Sequence, residues 1–446
     1  MKKPKISVLG IGYVGLCTAV GFASKGYNVT ASTHDAEKAA KINNGIPPFH
    51  EPNLQKLLKE TIKTGHLTCL TNKTEEAVLE TDLTFNAVGT PSRPDGSIDL
   101  QFIETSTRDI GQALNQKPTY HVVIVKSTVV PGTTQDLVKP ILEKESKKKC
   151  GADFGLCMNP EFLRQGSAFE DTLHTDRIVI GEYDKKSGDT LENLYKDFYG
   201  KDIPPTIRTT LSTAELIKYA SNSLLATKIS FINMIANICE KIRDADVKVV
   251  AAAMGLDKRI GSLFLDAGLG YGGSCFPKDV KALIACSKAF GYHPDLLESV
   301  ENVNKTQPLK AVQFCKEQLG NLKGKNIAIL GLAFKPDTDD MREARVIPIV
   351  NQLLTEGANV TAYDPVATDV AKSIFQNKIR YAPSAIECLK NSDAAILVTE
   401  WEEFKKLTPD DFTKNMKQPI LIDGRRIYTP EAFSQKLKFT AIGLGK

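Results

Sequence analysis

Short apolar runs and helical patterns alternate near the N-terminus of the chain. Residues 5–9 (KISVL) and 27–31 (YNVTA) are β-rich runs, and between them a helical pattern covers residues 16–25 and stops at Gly26. Glycine commonly follows the last residue of a helix because it accepts a left-handed backbone. The pattern therefore predicts a strand–helix–strand unit, which is the building block of a parallel α/β sheet.

The same pattern returns near the other end. Residues 325–330 (KNIAIL) predict a strand, 352–356 belong to a helix that Gly357 ends, and 358–365 (ANVTAYDP) contain the next strand. Because KISVLGIG…GYNVTAS and KNIAILGLA…GANVTAY correspond element by element, we predict a second doubly wound domain. Its turn lacks the glycine spacing of the first and need not hold a dinucleotide. Further strands are expected at 83–88, 122–125, 396–398 and 420–423.

The longest helical pattern lies in the middle of the chain, over residues 212–242. Ser212 and Glu215 have the spacing of a capping box at its start. Lys218 and Asn222 are four residues apart and share one helix face. Periodicity alone favours Lys218 as a surface lysine whose aliphatic part packs on apolar neighbours. The alternative is that its ammonium group takes part in the chemistry of a site. Further helices are predicted at 245–254, 280–290 and 300–319, and this helical middle could offer a dimer surface.

The chain is too long for a single core. At 446 residues, two or three domains are expected. We predict α/β architecture with two Rossmann-like doubly wound domains joined by a central domain with long helices. The predicted boundaries are 1–208 for the dinucleotide-binding domain, 209–305 for the central domain and 306–446 for the C-terminal domain.

Composition and charge exclude several classes of protein. The net charge is +4 and the one basic block is Lys147–Lys149, so nucleic-acid binding has little support. The nine cysteines form no CxxC pair and the six histidines are scattered, so no metal site is expected. No apolar run reaches membrane-spanning length. Reduced thiols and the lack of a membrane anchor lead us to expect a cytoplasmic protein.

Three glycines follow the first strand in the sequence GIGYVG. Gly10, Gly12 and Gly15 fit G-x-G-x-x-G at the first strand-to-helix turn. There the free N–H groups of the helix attract a pyrophosphate. The context makes dinucleotide binding a stronger hypothesis than a chance glycine turn.

The end of the second strand leaves the coenzyme open between NAD and NADP. An NAD site normally has an acidic residue there, which bonds the ribose 2′-hydroxyl. Here the sequence is Ala-Ser-Thr-His-Asp, residues 31–35, and the spacing nominates Asp35 for that role. Alternatively, the small hydroxyl side chains and the nearby Lys38 leave room for a 2′-phosphate.

A thiol lies in the segment GYGGSCFPKD, residues 270–279. Glycines allow a close approach of backbone to a ligand. A cation near Cys275 would favour its thiolate, and Lys278 and Asp279 argue against a dry core around it. The segment therefore predicts a loop for covalent catalysis, although an arbitrary cysteine is more often structural.

Seven motifs together resemble the UDP-glucose/GDP-mannose dehydrogenase family. They are GIGYVG, KSTVVPGT, NPEFL, AELIKYASN, GYGGSCFPKD, GLAFKPDTDD and DGR, in the order of the family and over essentially the whole chain. The resemblance implies an NAD-binding domain, a helical dimerising middle and a C-terminal domain that binds the UDP-sugar. It also implies a homodimer or higher homo-oligomer, and a four-electron oxidation of a primary alcohol to a carboxylate.

The resemblance implies a role for each matching residue. Cys275 is similar to the family's nucleophile, which forms a thiohemiacetal and then a thioester. Lys218 and Asn222 match the groups that hold the developing oxyanion. Asp279 would position or activate water with help from Thr128, and Glu161 is the candidate base for thioester hydrolysis. Implied substrate-binding residues are Phe162, Leu163, Lys218, Asn222, Arg259 (across a dimer), Phe264, Leu265, Gly272, Lys335 and Arg425. Implied cofactor-binding residues are Gly10, Gly12, Tyr13, Val14, Gly15, Thr33, Lys38, Thr90, Thr128, Lys278 and Arg342.

The chain departs from the family at three places. Thr33 replaces the ribose-binding aspartate, Gln165 stands at a position that is often acidic, and residues 343–345 (EAR) replace Glu-Ser-Pro before a helix. Phe276 favours UDP-glucose as the substrate, with UDP-glucuronate as product and two NAD+ reduced. The alternatives are UDP-N-acetylmannosamine or GDP-mannose as substrate, a two-electron dehydrogenase, or a non-catalytic protein that binds nucleotide sugars.

Overall fold

The computed structural model describes residues 3–445 and divides into two compact units, Met1–Ser221 and Asn222–Lys446. In the described part of the first unit, eight strands form one sheet in the order β3-β2-β1-β4-β5-β6-β7-β8, in which only the β6–β7 pair is antiparallel. β1 is buried along its whole length, as expected for the centre of a parallel sheet covered on both faces. The strands are β1 Ile6–Leu9, β2 Val29–Thr33, β3 Leu67–Thr71, β4 Leu83–Asn86, β5 Val122–Val125, β6 Gly155–Met158, β7 Ile178–Glu182 and β8 Thr206–Thr210.

Helices connect these strands. Gly26 ends the first helix as predicted: its φ is +80° and its N–H donates to the carbonyl of Ala23 at 2.9 Å. The helices of this unit are α1 Tyr13–Ser24, α2 Ala36–Asn43, α3 Leu54–Lys63, α4 Thr74–Leu79, α5 Gln101–Gln116, α6 Lys139–Ser146, α7 Ala168–Leu173 and α8 Lys185–Tyr199, with a π-helical turn at Thr134–Val138 and a 3-10 turn at Gly200–Asp202.

Helix α9, Leu211–Cys239, begins in the first unit and continues into the second. The predicted capping box at its start is wrong. The hydroxyl of Thr210 accepts the N–H of Thr213 at 3.3 Å, while the Glu215 carboxylate is fully buried. It accepts the N–H of Gly132 and both the N–H and hydroxyl of Thr134, at 2.6–2.7 Å. A buried carboxylate needs donors, and the loop after β5 supplies three.

The second unit continues with four more helices before its sheet begins. They are α10 Val247–Gly255, α11 Phe276–Ala289, α12 Asp295–Thr306 and α13 Leu309–Leu319. The single helix predicted at 300–319 is two helices, because Pro308 lacks the N–H that a continuous helix needs. Helix α11 begins four residues before the predicted start, with Pro277 in its first turn, where a missing N–H costs nothing.

Within the described part of the second unit, six strands form an all-parallel sheet in the order β11-β10-β9-β12-β13-β14. The strands are β9 Asn326–Leu330, β10 Asn359–Tyr363, β11 Arg380–Tyr381, β12 Ala394–Leu397, β13 Ile420–Asp423 and β14 Lys438–Ala441. The helices are α14 Val346–Thr355, α15 Thr368–Phe375, α16 Ala385–Leu389, α17 Glu402–Lys405, α18 Pro409–Asn415 and α19 Pro430–Ser434, with a 3-10 turn at Gln376–Lys378.

The predicted fold class is confirmed. Each sheet contains the strand order 3-2-1-4-5-6 of a doubly wound Rossmann-like domain, and helices fill the middle of the sequence. The three-domain division at 208/209 and 305/306 stays a prediction. Among residues 3–445, no helix has both the length and the apolar character needed to cross a lipid bilayer.

Candidate active site

The glycines after β1 form a tight turn into α1. Gly10 has φ +84°, and a Cβ there would meet the Cα of Val88 at 2.6 Å. A Cβ on Gly15 would lie 1.9 Å from the carbonyl oxygen of Gly10, so helix and strand pack too closely for a side chain. A Cβ added to Gly12, which precedes the first residue of α1, would meet no atom within 4 Å. Open space at a helix N-terminus fits the pyrophosphate of a dinucleotide.

Other predicted cofactor-binding residues lie around this turn. Tyr13 and Val14 are in the first turn of α1, and the Tyr13 ring stacks on Phe49 with centroids 3.9 Å apart. The hydroxyl of Thr90, after β4, donates to the carbonyl of Thr128, after β5, at 2.8 Å. The sheet thus brings both threonine loops to the carboxyl edge on which the glycine turn lies.

The candidate ribose-binding residues at the end of β2 have different surroundings in the structure. Thr33 is the last residue of the strand and is half-buried. Asp35 begins α2: its carboxylate accepts the N–H of Lys38 at 2.9 Å and lies 3.8 Å from the Lys38 ammonium. The Asp35 carboxylate is thereby used as a helix cap, and Thr33 holds the strand-end position.

A buried ion pair in the first unit joins two predicted site residues. The ammonium of Lys218 lies 3.0 Å from the carboxylate of Glu161, and both side chains are at most 7% exposed. Glu161 also accepts the N–H of Leu163 at 2.6 Å. The interpretation of Lys218 as a surface lysine, based on periodicity alone, is therefore wrong, and Glu161 is not an ordinary solvated loop residue.

The electrostatics of this pair favour an ionised carboxylate. Burial alone would raise the pKa of Glu161, but the ammonium of Lys218, the Leu163 N–H and the more distant Lys126 outweigh it and lower that pKa below its usual value. Glu161 therefore carries its negative charge at neutral pH and can accept a proton.

A second buried lysine was missed by the sequence analysis. Lys126 follows β5 directly, and its ammonium donates to the amide oxygen of Asn159 at 2.9 Å. The same oxygen also accepts a hydrogen bond from the hydroxyl of Tyr195 at 2.5 Å. Burial lowers the pKa of Lys126 to about 8, against the raising effect of Glu161. A lysine directly after a fully apolar strand was the available signal, because such a position is buried.

Phe162 lies between cations. The Arg177 guanidinium is 3.7 Å from the Phe162 ring centroid and the Lys218 ammonium is 5.5 Å from it. Both distances are within the range of cation–π attraction. A cavity in this unit is lined by residues that include Lys126, Glu161, Phe162, Leu163, Asp171 and Arg177.

The second unit holds the predicted nucleophile. Cys275 immediately precedes α11 and is half-buried, and its carbonyl accepts the N–H of Asp279 at 2.8 Å. The Asp279 carboxylate is 1% exposed; it accepts the amide N–H of Asn222 at 2.6 Å and the ammonium of Lys278 at 2.5 Å. A helix N-terminus stabilises negative charge, so this position suits a thiolate. The structure thus assembles Asn222, Cys275, Lys278 and Asp279 around one helix start.

The glycines before Cys275 allow close packing. A Cβ on Gly272 would lie 2.5 Å from the carbonyl oxygen of Glu343, and Gly273, at φ +83°, donates its N–H to the carbonyl of Arg342 at 2.9 Å. The ring of Phe334 would be 2.7 Å from a Cβ on Gly273. Only glycine fits these contacts, which hold the segment against the loop after β9.

The remaining predicted substrate residues of the second unit differ in exposure. Leu265 is buried, and the neighbouring Phe264, at φ +64°, packs edge-on to Phe276. Arg425, after β13, donates to the carbonyl of Val398 at 2.6 Å and lies 3.3 Å from Glu400.

The other three cations lie in loops. Lys335 is half-buried with its ammonium 5.7 Å from the Phe334 ring centroid. Arg342 pairs with Asp340 at 2.7 Å. Arg259 is 88% exposed and pairs with Asp257 at 2.6 Å, so the structure places it on the surface of its unit.

Comparison with known proteins gives the family. Three models of the UDP-glucose/GDP-mannose dehydrogenase family match the chain: the NAD binding domain over residues 4–199, the central domain over 212–306 and the UDP binding domain over 328–430. Lys335 and Arg425 lie within the last of these ranges.

The relatives cover nearly the whole chain. UDP-glucose 6-dehydrogenase AglM of Haloferax volcanii is 45% identical over 95% of this chain and 97% of its own length. UDP-glucose 6-dehydrogenase YwqF of Bacillus subtilis is 42% identical over 98% and 97%.

The solved structures agree. A UDP-glucose dehydrogenase from the hyperthermophilic archaeon Pyrobaculum islandicum superposes with a TM-score of 0.92, at 38% identity over 99% of this chain and 98% of that one. A UDP-D-ManNAc dehydrogenase from Pyrococcus horikoshii has a TM-score of 0.87 at 28% identity, over 98% of this chain and 99% of that one. With its glycine turn, buried Glu161–Lys218 pair and Cys275 helix, this chain belongs to the UDP-glucose/GDP-mannose dehydrogenase family and is an NAD-dependent oxidoreductase of nucleotide sugars.

Proposed function

We propose that this chain oxidises UDP-glucose to UDP-glucuronate, with two NAD+ reduced per sugar and a covalent intermediate on Cys275. The observation that carries the proposal is the buried Asp279 carboxylate, held by Asn222 and Lys278 at the start of the helix that follows Cys275. The sugar is supported by the names of the relatives from Haloferax and Bacillus, which are UDP-glucose 6-dehydrogenases, and by Phe276 beside the nucleophile.

The first oxidation converts the C6 alcohol to an aldehyde. NAD+, when bound, would accept the hydride that leaves C6 in each oxidation. The groups that would hold it are the glycine turn, Thr33, Lys38, Thr90, Thr128, Lys278 and Arg342. The C6 hydroxyl must also lose a proton, and Asp279 accepts it through a water that Thr128 helps to hold. The ammonium of Lys218 stabilises the negative charge on the C6 oxygen.

The second oxidation needs the thiolate of Cys275. Its sulfur forms a bond to the aldehyde carbon, and the oxygen becomes an oxyanion that Lys218 and Asn222 stabilise. Loss of the second hydride from C6 converts this thiohemiacetal to a thioester. Lys218 and Asn222 are one turn apart on α9 and share a face, as this task requires.

Hydrolysis of the thioester completes the reaction. Water attacks the thioester carbon, Glu161 accepts a proton from that water, and the C–S bond breaks to return the Cys275 thiolate and the carboxylate product. Glu161 suits this role because its lowered pKa keeps it ionised. Gln165, which replaces a frequent acidic residue, leaves Glu161 as the single base in its loop.

The UDP-sugar is bound through both backbone and cations. We place the sugar against Phe162 and Leu163, and the nucleotide against Phe264, Leu265 and Gly272. Lys335 and Arg425 would bind the pyrophosphate, because a guanidinium offers two parallel donors to phosphate oxygens. Arg425 would exchange its present partner Glu400 for the ligand.

The covalent step is tested by Cys275→Ser. We expect a loss of UDP-glucuronate formation on the order of 10³-fold or more, because serine lacks a thiolate. Cys286→Ser is the matched control: Cys286 is half-buried on the same helix, and this variant should keep wild-type rate. Cys275→Ser with a normal rate would defeat the covalent mechanism. A wild type that binds UDP-glucose but reduces no coenzyme would instead favour a binding protein.

We further propose a homodimer. Helix α9 exposes Leu224, Phe231, Met234 and Ile238, each by 41–63%, and three of them are spaced by seven residues, which is two helical turns. Apolar side chains in such a row are typical of a helix that packs on a partner. Arg259 could then reach the substrate of a second copy.

The three domains proposed are 1–208, 209–305 and 306–446. We also propose a cytoplasmic location, because Cys275 must be a reduced thiolate to act as a nucleophile.

A further inference from the structure

The coenzyme edge of the first sheet lacks the carboxylate that selects NAD in most dinucleotide sites. Thr33 is the last residue of β2, and its hydroxyl accepts the N–H of Asp35 at 3.3 Å. Asp35, the nearest acidic residue in sequence, caps α2 and faces the Lys38 ammonium. A carboxylate at the strand end would bond a ribose 2′-hydroxyl and repel a 2′-phosphate. With Thr33 there, that repulsion is absent.

Polar groups and one ion pair lie beside Thr33: the Asp35 carboxylate is 3.8 Å from the Lys38 ammonium, which partly neutralises it. His34 follows it and bonds the amide oxygen of Asn72 at 2.8 Å, and the N–H of Asn72 donates to the carbonyl of Thr33 at 3.0 Å. The side chain of Lys38 is 36% exposed one turn into α2. Of these groups, the Thr33 hydroxyl and the Lys38 ammonium are able to donate to a phosphate oxygen.

We propose that the coenzyme site of this chain binds NADP+ as well as NAD+, with Thr33 and Lys38 facing the 2′-phosphate. The glycine turn at Gly10, Gly12 and Gly15 serves both coenzymes equally, because they share the pyrophosphate. The choice between them is made at Thr33. The proposal concerns coenzyme binding; its consequence for sugar oxidation rests on the proposed function.

The test measures binding without sugar. Titration calorimetry with NADH and with NADPH should give dissociation constants within about tenfold of each other for the wild type. The reason is that no carboxylate at the end of β2 bonds the ribose 2′-hydroxyl of NADH or repels the 2′-phosphate of NADPH. Thr33→Asp should weaken NADPH by about 100-fold and leave NADH unchanged or tighter, because a carboxylate then faces the phosphate. Lys38→Ala should weaken the binding of NADPH and leave the binding of NADH unchanged. Lys41→Ala is the control, an exposed lysine of the same helix paired with Glu37, and should change neither.

The outcomes separate cleanly. A wild type that binds NADPH more than about tenfold more weakly than NADH overturns the proposal. So does a Thr33→Asp variant whose ratio of NADPH to NADH dissociation constants equals that of the wild type. If Thr33→Asp fails to fold, the two lysine variants still test the proposal. Equal changes in the NADPH dissociation constant of Lys38→Ala and Lys41→Ala would contradict it. Initial rates with UDP-glucose form a separate arm: normal binding of both coenzymes without turnover refutes the proposed function and leaves the coenzyme inference standing.

Discussion

Two buried ammonium groups lie near one buried carboxylate in the first unit. Lys218 bonds Glu161 directly, whereas Lys126 acts on it from beyond hydrogen-bond distance and is itself held by Asn159. Removing an ion from water is costly unless an opposite charge compensates. The surplus positive charge keeps Glu161 ionised and also suits a site where an oxyanion develops.

Lys126 therefore influences the proposed base through its charge. Lys126→Met removes one of the charges that lower the pKa of Glu161, so the acidic limb of the rate of UDP-glucuronate formation should move to higher pH. Lys126→Arg keeps the charge and should restore the wild-type profile. A pH profile of kcat for the three proteins measures this, and an unmoved limb in Lys126→Met would assign Lys126 a structural role only.

The residue scale shows where sequence reasoning succeeds and fails. Cys275, Asp279 and Asn222 could be nominated from their motifs, and the structure places them together. Periodicity misassigned Lys218, because it reports which face a side chain is on but not what covers that face. Lys126 was missed for the same reason: its partner Asn159 lies on another strand's loop, which local sequence does not reveal.

At the scale of the element, the start of α9 is fixed by a long-range contact. Glu215 fits a capping box in sequence, yet its carboxylate holds the loop at Gly132 and Thr134. That loop continues from Thr128, and Glu215 is three residues before Lys218 on the helix. Glu215 is thus a positioning residue that connects the proposed water-holding loop to the proposed oxyanion group.

Glu215 also gives the fold a pH dependence. Burial raises the pKa of Glu215 to about 7, despite three hydrogen bonds that lower it. Because the folded chain then holds the proton more tightly than the unfolded chain, the stability that this group contributes is lost as pH rises from about 4.5 to about 7. Relative to Glu215→Gln, the wild type should lose up to about 3 kcal/mol of unfolding free energy over that range.

Urea unfolding at pH 5 and pH 8 measures this difference. Glu60→Gln, at an exposed position on α3, is the control and should show no such change relative to the wild type. The same difference in unfolding free energy between wild type and Glu215→Gln at both pH values would contradict a raised pKa of Glu215.

The exposed face of α9 carries the prediction of a dimer. Leu224→Glu combined with Phe231→Glu places two charges in the proposed interface, and burying unpaired charges is costly. Light scattering should then report a monomer, whereas we expect the mass of a dimer or larger oligomer for the wild type. Leu296→Glu, at a 66% exposed apolar position on α12, is the control and should keep the wild-type mass. A double variant of wild-type mass would place the interface elsewhere.

Element boundaries depended on local stereochemistry. The short apolar runs were sufficient to predict strands such as β5 and β13 at their observed bounds, because a parallel strand is buried on both faces. The break at Pro308 was readable from sequence but was overlooked in favour of apolar periodicity. The Arg345 side chain, where the family usually has proline, donates to the carbonyl of Glu343 at 2.6 Å and directly precedes α14.

At the scale of the whole molecule, two sheets share one strand order but not one ligand. Both contain the doubly wound arrangement, and the repeated sequence pattern predicted this. The first strand of each is followed by a glycine with positive φ, Gly10 and Gly331. Only the first continues as G-x-G-x-x-G, and the family models assign NAD to the first and UDP to the second.

The division of the chain was less accessible from sequence. Length suggested two or three domains, and the fold separates into two compact units at Ser221 and Asn222, inside α9. A helix of 29 residues that belongs to both units carries no marker of a boundary in its sequence, because its periodicity is continuous.

The most direct test of the account is the number of coenzymes reduced per sugar consumed by the wild type. With limiting UDP-glucose and excess NAD+, two NADH per UDP-glucose, together with UDP-glucuronate as the product, is the result that the covalent four-electron mechanism predicts. One NADH per sugar, with an aldehyde as product, would contradict it, because the thioester on Cys275 would then never form.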